Sequence, residues 1–493
     1  MSNAYILAID QGTSSTKSIV FNERGEVVAR ASEPLTTLYL ADGHVEQEPE
    51  EIWQNVLASV EKCLLDFKSK GGNTADIKTC GISNQRETFV VWDESGRPLY
   101  NAVVWQCKRS VDVCARWKEQ GLEPLIRART GLIIDPYFSG SKLVWLAKQV
   151  EKVKTALGAG RARFGTIDTW LLYKLTGGKS YYTDYTNASR TLLFNLSSLS
   201  WDKELLDVFN LLKLQLPEPK PSSYMFGQTD FNGLLEAPIP ITCMMGDSHA
   251  AAFGEGCFTA GTAKATLGTG CSILMNIGAE AKSSGNGMVT TICWSTEQRV
   301  DYALEGVIVS CGATIEWLKN ELGLFADSRQ TEAMATAVTD NNGVYLVPAF
   351  SGLGAPHWDM SRKASITGLT FGCNKNHIVR AALESIPYQI KDVMEAIQSD
   401  AGIQLQELMV NGGITANRFV VQFLANLLEK PVVNRGMPDV SALGAAYLAG
   451  LKAGIYKDLD QLKTLNAEKL TIRPAHQPIA WYNGWKKVIA EHQ

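Results

Sequence analysis

What this chain lacks narrows its chemistry first. Its 493 residues contain no G-x-x-x-x-G-K-[ST] segment, so a Walker-type phosphate loop is excluded. G-x-G-x-x-G is also missing, which removes the dinucleotide fingerprint of a simple Rossmann unit. None of the 10 cysteines forms a C-x-x-C pair, and the 6 histidines do not cluster with them, so a structural zinc site has no ligand set. The cysteines are scattered, several inside apolar runs (Cys243, Cys271, Cys293), as expected of reduced thiols in a cytoplasmic protein. No apolar stretch approaches the roughly 20 residues of a membrane span. The opening "MSNAYILAID" has no basic leader and reads as a strand rather than a signal peptide. A net charge of −4 offers no basic surface for nucleic acid or membrane.

What is present is an ordinary globular composition, 45% hydrophobic and 20% charged, on a chain too long for one core, so two large domains are expected. "YILAID" (5–10) reads as a buried strand, "DQGTSSTK" (10–17) as a tight turn, and residues 18–32 as strand, turn at Arg24-Gly25, strand. Residues 49–70 form an amphipathic pattern with Pro49 at the start, which predicts a helix. Residues 76–96 read as strand, polar loop, strand. The second half repeats this logic: "ITCMMGD" (241–247) is a strand ending in Asp, residues 263–278 are a hairpin turning at Gly268-Thr269-Gly270, residues 407–430 are strand, double-glycine turn and helix, and residues 439–454 are a small-residue helix. The pattern is a degenerate duplication, two α/β domains with a cleft between them. The densest proline stretch is 216–227, and the junction is placed after it, near 250–256, giving domains 1–254 and 255–493.

Three turns carry phosphate chemistry without a P-loop. In "DQGTSSTK", Gly12 permits close backbone approach, Thr13, Ser14 and Ser15 supply hydroxyl and amide donors, and Lys17 adds positive charge. "LGTG" (267–270) offers the same from the second half, and "NGGITAN" (411–417) places Gly412-Gly413 where backbone can pack on a base or sugar. Any one of them is most simply a hairpin. Three in one chain, each after an apolar strand, suit a nucleotide held between two domains. Asp247, where a buried strand meets a small-residue helix, is open to two readings: a helix N-cap or a carboxylate facing the cleft that takes a proton from a substrate hydroxyl.

These residues resemble the FGGY carbohydrate kinases, and within them the branch that phosphorylates glycerol. The resemblance runs through "DQGTSS" (10–15), "HVEQEPEEIW" (44–53), "ISNQRET" (82–88), "NAVVWQCKR" (101–109), "TGLIIDPYFSGSKLVWL" (130–146), "FGTIDTWLLYKLTGG" (164–178), "TDYTNASRTLLFN" (183–195), "NGVYLVPAFSGLGAPHWD" (342–359), "GLTFG" through "RAALES" (368–385) and "SALGAAYLAGL" (441–451). Tyr137–Trp145 and Gly368–Glu384 resemble the two signatures of that family. The resemblance implies two actin/hexokinase-like (RNase H-like) domains closing on ATP and Mg²⁺, a small polyol as acceptor, and a homodimer or homotetramer. It makes Asp247 the catalytic base and gives Mg²⁺ to Asp10, with Asp247 in the same shell. Thr13, Ser14, Ser15 and Lys17 would meet the phosphates from one side, Gly268 and Thr269 from the other. Gly312, Glu316, Gly413 and Asn417 would line the adenosine pocket. The family more often has arginine in place of Lys17 and glutamine in place of Glu316. Arg86, Glu87, Trp105, Tyr137 and Asp247 would cage the acceptor, a design that rejects mismatched ligands because unpaired buried polar groups are costly.

Two positions depart from the glycerol-phosphorylating pattern. Ser248 stands where a glutamine normally touches the triol, and Ser272 where an aromatic packs on its carbons; losing a packed aromatic costs on the order of 3–5 kcal/mol in a core. Either His249 or another side chain refills the space, or the pocket takes a four- or five-carbon polyol or ketose. A non-catalytic, actin-like ATP-binding protein is the remote third reading, against which the acceptor cage speaks. His249 itself reads as a packed side chain rather than a base. The segment "DFNGLLEAP" (230–238) has no arginine or lysine and no histidine occurs between residues 178 and 248, so neither inhibition by a sugar bisphosphate nor activation by histidine phosphorylation is expected there.

Overall fold

The computed structural model describes residues 4–465, 470–475 and 479–491. Two sheets organise it, and they repeat one topology. In the first, the antiparallel meander Tyr5–Gln11, Ser15–Asn22, Val27–Pro34 is extended from its first strand by the parallel strands Ile77–Asn84 and Ile239–Gly246, with Ser223–Thr229 at the edge. In the second, the antiparallel set Thr262–Leu267, Cys271–Gly278, Val300–Ile308 is extended in the same sense by the parallel strands Glu407–Asn411 and Val432–Asn434. The duplication visible in the sequence is therefore a duplication of strand order, and the fold is actin/hexokinase-like. A smaller five-stranded sheet, including Val45–Gln47, Phe89–Trp92, Ala102–Val103 and Arg163–Thr166, is set beside the first.

The strand "YILAIDQ" is apolar on both faces because both faces are covered. Leu7 and Ile9 pack with Ile52, Val56 and Val60 of helix Pro49–Ser69. Ile6 and Ala8 point the other way, into a cluster with Ala442, Ala445 and Ala446 of helix Val440–Lys452. Helix Pro49–Ser69 starts as its sequence predicts, with Pro49 in the first turn and the Glu48 side chain accepting from the Glu51 amide. The longest helix, Lys375–Ala401, carries Pro387 internally, ends on Gly402 in the left-handed conformation, and covers the outer face of the second sheet through Ile386 and Ile390. The sequence pattern assigns no element there; the signature resemblance over Gly368–Glu384 reaches only its first ten residues, Lys375–Glu384.

A single hydrophobic cluster runs between the sheets. It joins Cys243 and Met245 of the first to Leu274, Met409 and Val433 of the second, through helices Asp247–Gly254 and Val440–Lys452. Helix Val440–Lys452, late in the chain, thus packs on the first sheet, and a line drawn at residue 254 passes through shared core. The two helices touch backbone to backbone, which explains their small residues: a Cβ on Gly444 would collide with the Ala250 carbonyl, and one on Gly254 with the Val440 carbonyl. No helix among the described residues is long and apolar enough to cross a membrane. Because the contact has no room for a methyl group, Gly444→Ala should lower stability by about 1–3 kcal/mol, read as a fall in the urea unfolding midpoint; an unchanged midpoint would show that the helices can separate freely.

Candidate active site

Strand Ile239–Gly246 delivers Asp247 to the cleft between the sheets. Gly246 occupies the helix cap and Asp247 is the first helical residue, so its side chain is not the N-cap. The carboxylate is 40% exposed, accepts the Ser248 amide at 2.6 Å and lies 3.4 Å from Arg86 Nε. It borders a cavity of about 660 Å³ shared with Ser248, Thr266, Gly412, Gly413 and Ser441. A second cavity of about 650 Å³ meets the first at Gly413 and Ala416, and Gly268, Thr269, Gly312, Glu316 and Asn417 line it. The Gly268–Gly270 turn is tied to the start of helix Gly312–Asn320, since Gly312 N donates to the Gly268 carbonyl and Cys311 N to that of Thr269, each at 2.9 Å. Glu316 lies 3.7 Å from Lys319. Asn417 caps helix Arg418–Leu428 and donates to Thr331 Oγ1. Gly412 has φ +97°, and a Cβ there would strike the Leu267 carbonyl, so this position requires glycine, whereas a Cβ on Gly413 would meet no neighbour.

Asp10 lies inside strand Tyr5–Gln11, opposite Lys17 on one side and Ser83 on the other. Ser83 Oγ donates to it at 2.9 Å, yet burial, reinforced by the nearby Asp247 carboxylate, pushes its pKa up to about 6. Asp10 and Asp247, two neighbouring hard carboxylates, suit a divalent cation that keeps most of its waters. Among the described residues no group of three or more ligating side chains surrounds such a point, so a metal here would lean on water and phosphate oxygens. The turn after Asp10 is held by Gly12 N donating to Ser15 O at 2.9 Å. Thr13 is tied outward: its hydroxyl accepts Trp105 Nε1 at 2.9 Å and its carbonyl accepts Gln47 Nε2 at 2.7 Å. Ser14 is exposed, and Ser15 opens the next strand. Lys17 is paired with Asp439, 2.8 Å away, so its charge reaches the cleft already balanced.

The acceptor residues form a buried ladder of charge. Arg86 Nη2 is 2.8 Å from Glu305, Arg190 Nη1 is 2.7 Å from the other Glu305 oxygen, and Arg190 Nε donates to Glu87 at 2.6 Å. None of the four is more than 5% exposed. Such burial is expensive unless every charge is matched, and here two guanidinium groups face two carboxylates. Burial alone would raise the Glu305 carboxyl, but Arg190 and Arg86 outweigh it and hold it well below the usual range. Glu87 has φ +59°, a strained backbone that turns the chain after Arg86 back into the pocket. Trp105 and Tyr137 form the wall, their rings 5.7 Å apart at 72°, with the Arg190 guanidinium 5.9 Å from the Tyr137 centroid.

The space beside Ser248 and Ser272 is answered by Lys264. Fully buried, its ammonium donates to Thr266 at 3.1 Å, Ser248 at 3.3 Å and Ser272 at 3.5 Å, while Ser272 Oγ donates to Glu305 at 3.2 Å. His249 does not refill it: the ring is buried with Nε2 3.4 Å from Thr291 Oγ1, and burial pulls its pKa well down, leaving a neutral packed side chain. Arg190, Glu305 and Lys264 were not singled out from sequence. A signal existed for Glu305, a carboxylate in the middle of the apolar strand "YALEGVI", which must find a buried cation.

Two duplicated lobes, with glycine turns from both sheets facing a carboxylate and a polar cage, define a nucleotide-dependent phosphotransferase fold. Family models agree: residues 5–254 match the N-terminal domain, and residues 263–453 the C-terminal domain, of the FGGY family of carbohydrate kinases. The chain belongs to that family. It is 46% identical to a glycerol kinase of Thermoanaerobacter sp. (strain X514) over 98% of each chain, and 46% identical to one of Salmonella arizonae over 98% of this chain and 97% of the other. The solved structure of Plasmodium falciparum glycerol kinase with ADP superimposes with a TM-score of 0.94 at 34% identity, covering 99% of this chain and 98% of that one. Since Glu305 balances both arginines, Glu305→Gln should destabilise the protein by about 3–5 kcal/mol and weaken acceptor binding, as urea denaturation and acceptor titration would record; wild-type stability in that variant would show the arginines to be compensated elsewhere.

Proposed function

We propose that the chain transfers the γ-phosphoryl group of ATP to a primary hydroxyl of glycerol, giving sn-glycerol 3-phosphate. The observation that carries the reading is the contact between Asp247 and Arg86, which joins a carboxylate lining the nucleotide-side cavity to the ladder that cages the acceptor. Full-length similarity to glycerol kinases supports the same acceptor.

In this reading Arg86 donates to acceptor oxygens, Glu87 and Asp247 accept from its hydroxyls, and Trp105 and Tyr137 press on its carbons. Asp247 takes the proton as the hydroxyl oxygen bonds to the γ-phosphorus and the bond from that phosphorus to the β,γ-bridging oxygen breaks, releasing ADP. Donors from Thr13, Ser14 and Ser15 on one lobe and Gly268 and Thr269 on the other hold the phosphates in line. Lys17, paired with Asp439, would meet the phosphates through its ammonium N–H donors rather than through net charge. Gly312, Glu316, Gly413 and Asn417 border the adenosine. Mg²⁺ bound by Asp10 and Asp247 through water would neutralise charge on the phosphates. The lobes exclude water so that the alcohol, not solvent, is the acceptor. The protein works in the cytoplasm as a homodimer or homotetramer.

A second acceptor reading, a four- or five-carbon polyol or ketose, is favoured by one observation: Ser248, Ser272 and the Lys264 ammonium offer polar contacts where a bulky side chain would close the pocket. With ATP and Mg²⁺, a panel of glycerol, erythritol, xylitol, ribulose and xylulose should give glycerol the highest kcat/KM; a longer compound far above it would move the acceptor to that class. Asp247→Asn should lower kcat about 10²–10⁴-fold while ADP binding, measured by calorimetry, stays near normal. Turnover close to the parent's would remove Asp247 from the base role.

A further inference from the structure

Helix Ser139–Gln149 buries a lysine in its first turns. Lys142 is 0% exposed, and among the described residues its ammonium makes no ion pair. Its three donors go instead to three backbone carbonyls: Tyr137 at 2.7 Å, Pro136 at 2.8 Å and Trp105 at 3.4 Å. An ammonium has three N–H groups and no acceptor, so every donor is used. A buried cation without a carboxylate is costly, and an apolar side chain of similar length would fill the volume more cheaply. Besides the contact between the Trp105 and Tyr137 rings and the Ser110–Ser141 hydroxyl bond, the cation adds a backbone attachment common to two chain segments: the loop carrying Trp105 and the turn carrying Tyr137. The same helix fastens a third acceptor residue, since Ser139 Oγ donates to the Glu87 carbonyl at 2.7 Å. Trp105 in turn reaches the phosphate turn through Thr13.

We propose that Lys142 is a positioning residue for the acceptor: by holding the Trp105 and Tyr137 carbonyls together, its ammonium sets the gap between the two aromatic walls that grip the acceptor's carbon chain. The inference rests on the acceptor cage proposed above.

The charged and titratable groups around Lys142 are Glu87, Asp135, Cys107 and Cys114, all of which favour its protonated form; burial outweighs them and brings its pKa down to about 8. The cation is therefore present below pH 8. Above it the amine has only two N–H groups and no charge, so one carbonyl is released and the others are held weakly. Acceptor KM should rise as pH passes 8, while nucleotide affinity should not follow.

The test compares the parent with Lys142→Met, which keeps length and removes the charge. At pH 7 the variant should show an acceptor KM raised at least tenfold with the ADP dissociation constant within twofold of the parent. The rise in acceptor KM between pH 7 and 9.5 seen in the parent should be absent in the variant. An acceptor KM within twofold of the parent's at pH 7 would overturn the proposal, as would equal KM rises in both proteins. Should Lys142→Met fail to fold, a parental acceptor KM that stays flat from pH 7 to 9.5 overturns it alone. If the parent turns over another polyol and not glycerol, the glycerol reading fails, and the same comparison is made on that polyol.

Discussion

Four buried charges, Arg86, Glu87, Arg190 and Glu305, constrain everything around them. Three come from the first half of the chain and Glu305 from the second, so the ladder is also a bond between the halves. Among the described residues Glu305 is the one carboxylate that meets both arginines, and it cannot be buried without them, because an unmatched ion in a low-dielectric interior costs several kcal/mol. The second sheet must therefore approach the acceptor pocket closely enough to place one strand residue between two guanidinium groups. Asp247, partly exposed and 3.4 Å from Arg86 Nε, is the point where this buried system meets the nucleotide side.

The shared core allows that approach. Alanines and glycines on helices Asp247–Gly254 and Val440–Lys452 let two backbones touch, and the cluster they form continues into both sheets. Chain order and packing order differ here: a helix from the end of the sequence completes the face of the sheet that starts it. A kinase of this kind has to exclude water and yet admit two substrates. The lobes share a small-residue core while the cavities lie on either side of the Gly412–Gly413 turn.

Much of this was legible in the residues. Continuous apolar strands ending in Asp, the glycine and hydroxyl turns, the amphipathic helix after Pro49 and the small-residue helix near residue 445 all appear where local pattern puts them, because propensity and burial agree at those places. Asp247 was legible as a residue of interest and ambiguous as to role; the structure assigns the cap position to Gly246. The partners of the acceptor residues were not legible. Arg190 and Glu305 lie 103 and 218 positions from Glu87 by their numbers (190 − 87 and 305 − 87), and no local rule links them. Lys17 shows the opposite failure: a lysine in a phosphate turn looks free, and only the fold brings Asp439 to it across the chain.

The sequence by itself determined the class of the protein, two related α/β lobes with turns suited to a triphosphate and a carboxylate suited to a hydroxyl, since these depend on short-range spacing and on which residue types can do the chemistry. The tertiary structure decided which charges pair, which side chain occupies the space beside Ser248 and Ser272, and how the aromatic walls are tied. Those outcomes depend on distances between residues remote in the chain, and a buried polar group is stabilised or penalised only by the partner that folding puts beside it.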